Sequence, residues 1–210
     1  MIPRIIDCEQ NSPEWYAARL GLPTASEFKT IIGVKKDARE KVTRRNYMLK
    51  LAGEIITGEP MEGYSNAHME RGKEMEGVAR STYAFMEDAD PQRVGFIVNG
   101  PKGCSPDSLL GDAGMLEVKT KLPHLLIECL LKDEFPPEHK AQCQGALWVA
   151  DREWIDIACY WPKMPLFVKR ATRDEDYIKE LSAAVSQFNE ELAETVERVR
   201  RYGQPQREAA

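Results

Sequence analysis

The 210-residue sequence contains no apolar run near the roughly 20 residues that a membrane-spanning helix needs. Its opening stretch, MIPRIIDCEQ, lacks the basic, apolar and small-residue succession of a secretory signal. There is no Cys-x-x-Cys pair: Cys8, Cys104, Cys129, Cys143 and Cys159 lie far apart. An odd, scattered set fits buried free thiols in a reducing compartment, and it argues against a disulfide scaffold, a structural zinc site or an iron–sulfur cluster. The expected location is therefore the cytoplasm. Histidine is scarce, with three residues showing no metal-ligand spacing, so His68 and His139 read as structural or exposed. No fixed-period repeat, low-complexity segment or linker divides the chain. What is there is ordinary globular composition, 42% hydrophobic and 30% charged. A chain this long buries roughly 70% of its unfolded surface without staples. One domain over residues 1–203 is expected, with 204–210 a frayed tail.

The net charge of −5 argues at first against a polyanionic partner, but the charge is uneven. Residues 1–50 hold ten basic against six acidic residues, a net of +4, and residues 51–210 carry −9. Within the first part lie Lys35, Lys36, Arg39, Lys41, Arg44, Arg45 and Lys50. Two readings of this cluster stay open, a solvated helix face or a patch that tracks phosphates.

Local signals place the elements. Ser12-Pro13-Glu14 opens a short helix that stops near Gly21. Thr24-Ala25-Ser26-Glu27 reads as a capping box starting a second helix that ends by Gly33. Longer helices are expected over 38–57 and 65–86, the latter with Met69, Gly72, Met75, Ala79 and Tyr83 at helical spacing as core packing. Strands follow near 93–98, 104–110 and 115–120, then helices over 123–132 and 141–150 and strands at 154–160 and 166–169. A final amphipathic helix from about 174 carries Ile178, Leu181, Val185, Phe188, Leu192, Val196 and Val199 on one stripe, which suits docking on the body better than a coiled coil. The class is mixed α/β.

The chemistry concentrates between Cys104 and Lys119. Gly111-Asp112-Ala113-Gly114 is a turn signal between two apolar strands, so the segment is a β-hairpin. A five-residue loop at 110–114 sets Asp107 opposite Glu117 on one face; an even loop would move Asp107 to the other. Glu117 and Lys119 share a face in either register. Two carboxylates beside a lysine suit an oxygen-ligated Mg2+ or Mn2+ ion whose remaining ligands come from water and phosphate, and phosphodiester hydrolysis is the chemistry that needs such a set. The competing reading is a surface salt bridge on an edge hairpin.

Pro106-Asp107…Glu117-Val118-Lys119 resembles the PD-(D/E)xK core shared by restriction-type endonucleases and phage exonucleases. More of the chain is similar to one branch, the phage lambda-type or YqaJ-like recombination nucleases. The blocks are Glu14-Trp15, Arg19-Leu20-Gly21, Thr24-Ala25-Ser26-Glu27, Arg71-Gly72-Lys73-Glu74-Met75-Glu76, Cys104-Ser105-Pro106-Asp107, Leu116-Glu117-Val118-Lys119 and Ala141-Gln142-Cys143-Gln144 with Trp148. They occur in order over about two-thirds of the chain.

The resemblance implies a restriction-endonuclease-like fold, a central mixed β-sheet flanked by helices. It implies a 5′–3′ exonuclease of double-stranded DNA from a phage or prophage, acting in the host cytoplasm and leaving 3′ overhangs for recombination by strand annealing. Asp107, Glu117, the Val118 carbonyl and Glu76 would hold two Mg2+ ions, for which Mn2+ can substitute. Lys119 would assist the attacking water, with Gln142 beside it. Arg19 and Ser26 would bind the 5′-phosphate, with Ser105 adding a hydroxyl. Arg19 ends one helix and Ser26 begins the next, where free backbone N–H groups and an arginine fork suit a phosphate dianion. A ring-shaped homotrimer and a single-strand annealing protein are the implied partners, and residues near Leu22 and Pro23 or the basic residues at 35–45 are candidates to line the DNA tunnel. The family's prototype has a further phosphate-binding arginine after the catalytic lysine; here only Lys121 or His124 stands nearby. An endonuclease of the restriction or repair type and a non-catalytic DNA-binding subunit remain the alternatives.

Overall fold

A computed structural model describes residues 2–32, 38–61 and 67–203, with side chains at all of these except residue 38 and residues 67–74. The expected tail at 204–210, Lys35, Lys36 and the side chains of His68 and Met69 lie outside the described residues.

The order of elements is β1 (Arg4–Ile6), α1 (Pro13–Arg19), a 3-10 turn (Ala25–Glu27), α2 (Phe28–Ile32), α3 (Ala38–Thr57), α4 (Ala67–Met86), β2 (Phe96–Val98), β3 (Gly103–Cys104), β4 (Ser108–Leu110), β5 (Gly114–Thr120), α5 (Pro123–Lys132), a 3-10 turn (Pro137–His139), α6 (Lys140–Ala150), β6 (Trp154–Tyr160), β7 (Phe167–Thr172) and α7 (Glu175–Arg200). The centre is the four-stranded mixed sheet β4-β5-β6-β7, in which β5 and β6 run parallel and the outer pairs antiparallel. A second, antiparallel sheet is β1-β2-β3.

Side-chain alternation along β5 assigns the layers. Leu116 and Val118 face α4 and pack with its Ala79 and Tyr83. Met115 points the other way, into the main core that α2, α3, α6 and α7 share. α5 covers Ile157, Cys159 and Phe167 with Leu126 on this second face. The stripe on α7 is buried from Ile178 to Val196, so the helix docks on the body; only Val199, half-exposed, falls off it.

Two differences from the sequence reading matter for the site. The stretch expected as one strand over 104–110 is divided: β3 pairs with β2, β4 pairs with β5, and Ser105-Pro106-Asp107 carries the chain between sheets. Pro106 has no N–H to give to a ladder, and its carbonyl is taken instead by the Gln10 side chain at 3.0 Å. The capping box is also absent. Thr24 makes no side-chain cap bond; the helix begins as a 3-10 turn, and the Thr24 hydroxyl turns toward Arg19 and Ser26.

The hairpin register is as expected. Leu110 pairs with Gly114 around a turn at 111–113 in which Gly111 has φ +55°, and Ser108 pairs with Leu116. An odd number of turn residues keeps Asp107 on the face of Glu117. At Gly145 a Cβ would run into the Phe28 ring, so its absence lets α6 close onto the 3-10 turn carrying Ser26.

α4 is fixed to the sheet through the buried Asp156. The Tyr83 hydroxyl donates to Asp156 Oδ2 at 2.6 Å, and Arg170 donates twice to the same carboxylate at 2.8 Å while stacking on Trp154. Tyr83→Phe is expected to cost about 1–3 kcal/mol, the range for leaving a buried acceptor short of a donor, as read by urea unfolding.

Candidate active site

The hairpin and α6 converge on Glu117. This residue is almost wholly buried, and its Oε1 accepts from Lys119 Nζ at 2.7 Å and from Gln142 Nε2 at 2.5 Å. Asp107 sits alongside, its Oδ2 accepting from the Val118 N–H at 2.5 Å. In a strand the N–H and C=O of one residue point to the same side, so the Val118 carbonyl faces the Asp107 side as well. Burial first, then the Glu117 and Glu76 charges, push the Asp107 carboxyl well above the usual carboxylate range, against the pull of Lys119 and the Val118 N–H. At Lys119 burial works to lower the affinity for a proton, but Glu117 and Asp107 outweigh it and hold the ammonium above the usual lysine range. The lysine is thus a fixed cation beside two carboxylates, suited to orient a water and to meet negative charge.

The donor set fits a hard divalent cation. Two carboxylates and a main-chain carbonyl supply oxygen only, and a dication would neutralise the carboxylate repulsion that, after burial, raises Asp107. Cys104 and Cys143 lie within electrostatic reach of Glu117, but burial and then that carboxylate push both thiols up, which keeps them out of the ligand set. Glu76 is close enough to act on Asp107, yet its carboxylate is engaged by Arg80. Among the described residues no three His, Cys, Asp or Glu side chains are grouped as a complete metal cage.

A cleft of about 180 Å³ adjoins this centre and is lined by Arg19, Thr24, Ser26, Ser105, Glu117 and Gln142, among others. The Arg19 guanidinium lies over the Trp15 ring, 4.2 Å from its centroid, and donates to Thr24 Oγ1 at 3.3 Å. Thr24 Oγ1 is in turn 3.2 Å from Ser26 Oγ, and Trp15 Nε1 donates to Ser105 Oγ at 2.8 Å. The three residues expected at the 5′-phosphate therefore line the same cleft as Glu117. A second cleft, about 310 Å³, runs from Arg19 past Leu22 to Lys50 of α3. Of the basic cluster, Arg44 is committed to α7, paired with Glu191 at 2.5 Å and stacked on Phe188, whereas Lys41, Arg45 and Lys50 are exposed.

The profile of the YqaJ-like viral recombinase domain matches residues 14–153, two-thirds of the chain. The chain belongs to this family. The YqaJ-like domain is also similar to a solved alkaline exonuclease (LHK-Exo) from Laribacter hongkongensis at 33% identity, covering 90% of this chain and 97% of that one with a TM-score of 0.80. The same exonuclease in complex with dAMP matches at a TM-score of 0.82 with the same identity and coverage. A phage-related exonuclease from Haemophilus somnus shares the fold at 15% identity, with a TM-score of 0.65 over 85% of this chain and 96% of that one. No curated protein sequence matches the chain. The mixed sheet flanked by helices is thus the nuclease fold of these relatives.

Several residues that support the site of the YqaJ-like domain were not singled out as site residues by the sequence reading. Thr24 bridges Arg19 and Ser26, Gln10 holds the Val94 and Pro106 carbonyls, and Arg80 reaches both Glu76 and the Asp107 carbonyl. Lys121, one of the two stand-ins for the prototype's second arginine, is paired with Glu138 at 2.5 Å. His139 is mostly buried beside it: burial first, then the Lys119 and Lys121 charges, pull it down to about 4 from an ordinary 6.5. Between pH 6.5 and about 4 the unfolded chain holds a proton that the folded chain refuses. Stability is therefore full above pH 6.5 and falls on acidification through that window, by at most about 3 kcal/mol. His139→Gln is expected to remove this contribution, flattening the difference between unfolding free energies measured at pH 7.5 and 4.5.

Proposed function

We propose that this YqaJ-like domain is a Mg2+-dependent 5′–3′ exonuclease of double-stranded DNA that trims one strand to 5′-mononucleotides. The observation that carries the reading is that Arg19, Ser26 and Ser105 line the same cleft as Glu117 and Gln142. A terminal phosphate held at Arg19, in the cleft that Glu117 also lines, would bring a phosphodiester bond near that 5′ end to the carboxylates, and a mononucleotide is the product this reading expects. The capture of dAMP by the 33% identical alkaline exonuclease is consistent with this product class.

Asp107, Glu117 and the Val118 carbonyl would hold the ions, with Glu76 completing the set. When bound, such ions would supply Lewis-acid stabilisation of charge on the attacking and leaving oxygens. Gln142 and Lys119, both on Glu117 Oε1, orient the water that attacks the phosphorus. The Lys119 ammonium faces the charge that builds on the phosphate oxygens. Arg19, stacked on Trp15, and the Thr24–Ser26 hydroxyls grip the 5′-phosphate and fix which bond is presented.

A homotrimeric ring threaded by DNA and a single-strand annealing protein acting on the 3′ overhang complete the proposal. Exposed Phe85 on α4 and Leu131 on α5, on opposite faces of the sheet, are apolar residues of the kind a heterologous, ring-closing contact covers. The test is digestion of linear and covalently closed circular duplexes in Mg2+ and in a chelator. The reading expects mononucleotides from linear DNA in Mg2+ only. Cleavage of the circle would assign an endonuclease, and binding without hydrolysis a non-catalytic subunit.

A further inference from the structure

Arg80 is a nearly buried arginine on α4, one turn from Glu76, and its contacts go beyond those of a surface pair at that spacing. Its Nε donates to Ser108 Oγ at 2.9 Å, and Ser108, wholly buried, donates its own hydroxyl proton to the Asp107 carbonyl at 2.6 Å. Its Nη2 reaches the same carbonyl at 3.4 Å and also engages Glu76 Oε1. One guanidinium therefore ties the carboxylate of α4 to the peptide that carries Asp107. Glu76 needs such a tie. It lies on a helix face bordering an open groove of about 520 Å³ with Asp107, whose negative charge repels it. Arg80 engages Oε1, and among the described residues no hydrogen bond reaches Oε2.

We propose that Arg80 is a positioning residue for the metal site: it holds Glu76 against repulsion by Asp107, so that its second carboxylate oxygen is presented to a divalent cation. This rests on Glu76 belonging to the ligand set. Partners that orient a ligating carboxylate from behind typically contribute about 10–100-fold to metal affinity. A surface ion pair between residues four apart would contribute far less.

The experiment is calorimetric titration of Mn2+ into the full-length protein without DNA. Arg80→Gln is expected to weaken binding by about 10–100-fold and to raise the Mg2+ concentration for half-maximal hydrolysis by the same factor. Arg80→Lys, which keeps charge and packing but cannot serve Ser108 and Glu76 together, should fall between and covers the case in which Arg80→Gln does not fold. Glu76→Gln should weaken Mn2+ binding, and adding Arg80→Gln to it should weaken it little further. Arg80 variants that bind Mn2+ as tightly as the unmodified protein, or more tightly, overturn the proposal alone, because the guanidinium would then be idle or a competitor. Fully additive losses in the double variant overturn it as well, since Arg80 would act only through Asp107. Unchanged Mn2+ binding in Glu76→Gln removes Glu76 from the ligands and overturns that assignment with it.

Discussion

Lys119→Ala is expected to lower the rate constant for phosphodiester hydrolysis by about 10²–10⁴-fold, the usual range for a group that assists proton movement or meets charge in a transition state. The lysine shares Glu117 Oε1 with Gln142, at 2.7 and 2.5 Å, so three side chains on two elements meet at a single oxygen. Glu117 and Asp107 keep the ammonium charged, which makes it a donor to the attacking water and to the phosphate oxygens. The loss should appear in kcat, measured as release of acid-soluble nucleotide in single-turnover conditions, while the affinity for a DNA end changes little. Gln142→Ala should give the smaller effect of the two, because a neutral amide orients but carries no charge. A Lys119→Ala protein that hydrolyses at the unmodified rate in Mg2+ would contradict the assignment of the hairpin as the catalytic centre.

The second large effect is expected at Arg19, which lines the same cleft as Glu117. Arg19→Ala should abolish the preference for duplexes with a 5′-phosphate over those with a 5′-hydroxyl, a loss of about 10–100-fold in kcat/KM on the phosphorylated end. The range follows from a charge-assisted hydrogen bond to a dianion, worth about 1.5–3 kcal/mol. The guanidinium is oriented in advance by the Trp15 ring beneath it and by Thr24 Oγ1, so little ordering is spent on binding. Arg19→Lys should recover only part of the loss, since an ammonium cannot stack and fork together. The 5′-hydroxyl substrate serves as the internal control: its rate should stay within a few-fold of the unmodified enzyme's. Retention of full phosphate preference in Arg19→Ala would place the end-binding site elsewhere.

Much of this arrangement is legible in the sequence where periodicity is long or turn chemistry strong. The helices over 38–57 and 123–132 and the strand over 154–160 lie where their apolar spacing puts them. The pairing of Asp107 with Glu117 follows from an odd turn around Gly111. Three-residue β1, by contrast, has no pattern to read, and β3 and β4 merge into a single apparent strand because only tertiary pairing divides them. Thr24-Ala25-Ser26-Glu27 satisfies the capping rule, yet the nearby Arg19 and Ser26 compete for the Thr24 hydroxyl. Gln10 and Arg80 stay hidden for another reason: their partners are 96 and 28 residues away, and no local signal marks them. The net charge of −5 misleads in the same way, since the acidic residues include Asp107, Glu117 and Glu76 of the site itself.

The most direct test follows the fate of the two ends of one strand. A linear duplex is labelled at a 5′-phosphate or at the 3′ end of the same strand and incubated with the protein in Mg2+ or in a chelator. The account predicts immediate release of the 5′ label as a mononucleotide, late release of the 3′ label, and no release in the chelator. Prompt release of the 3′ label, or release of either label in the chelator, would contradict it.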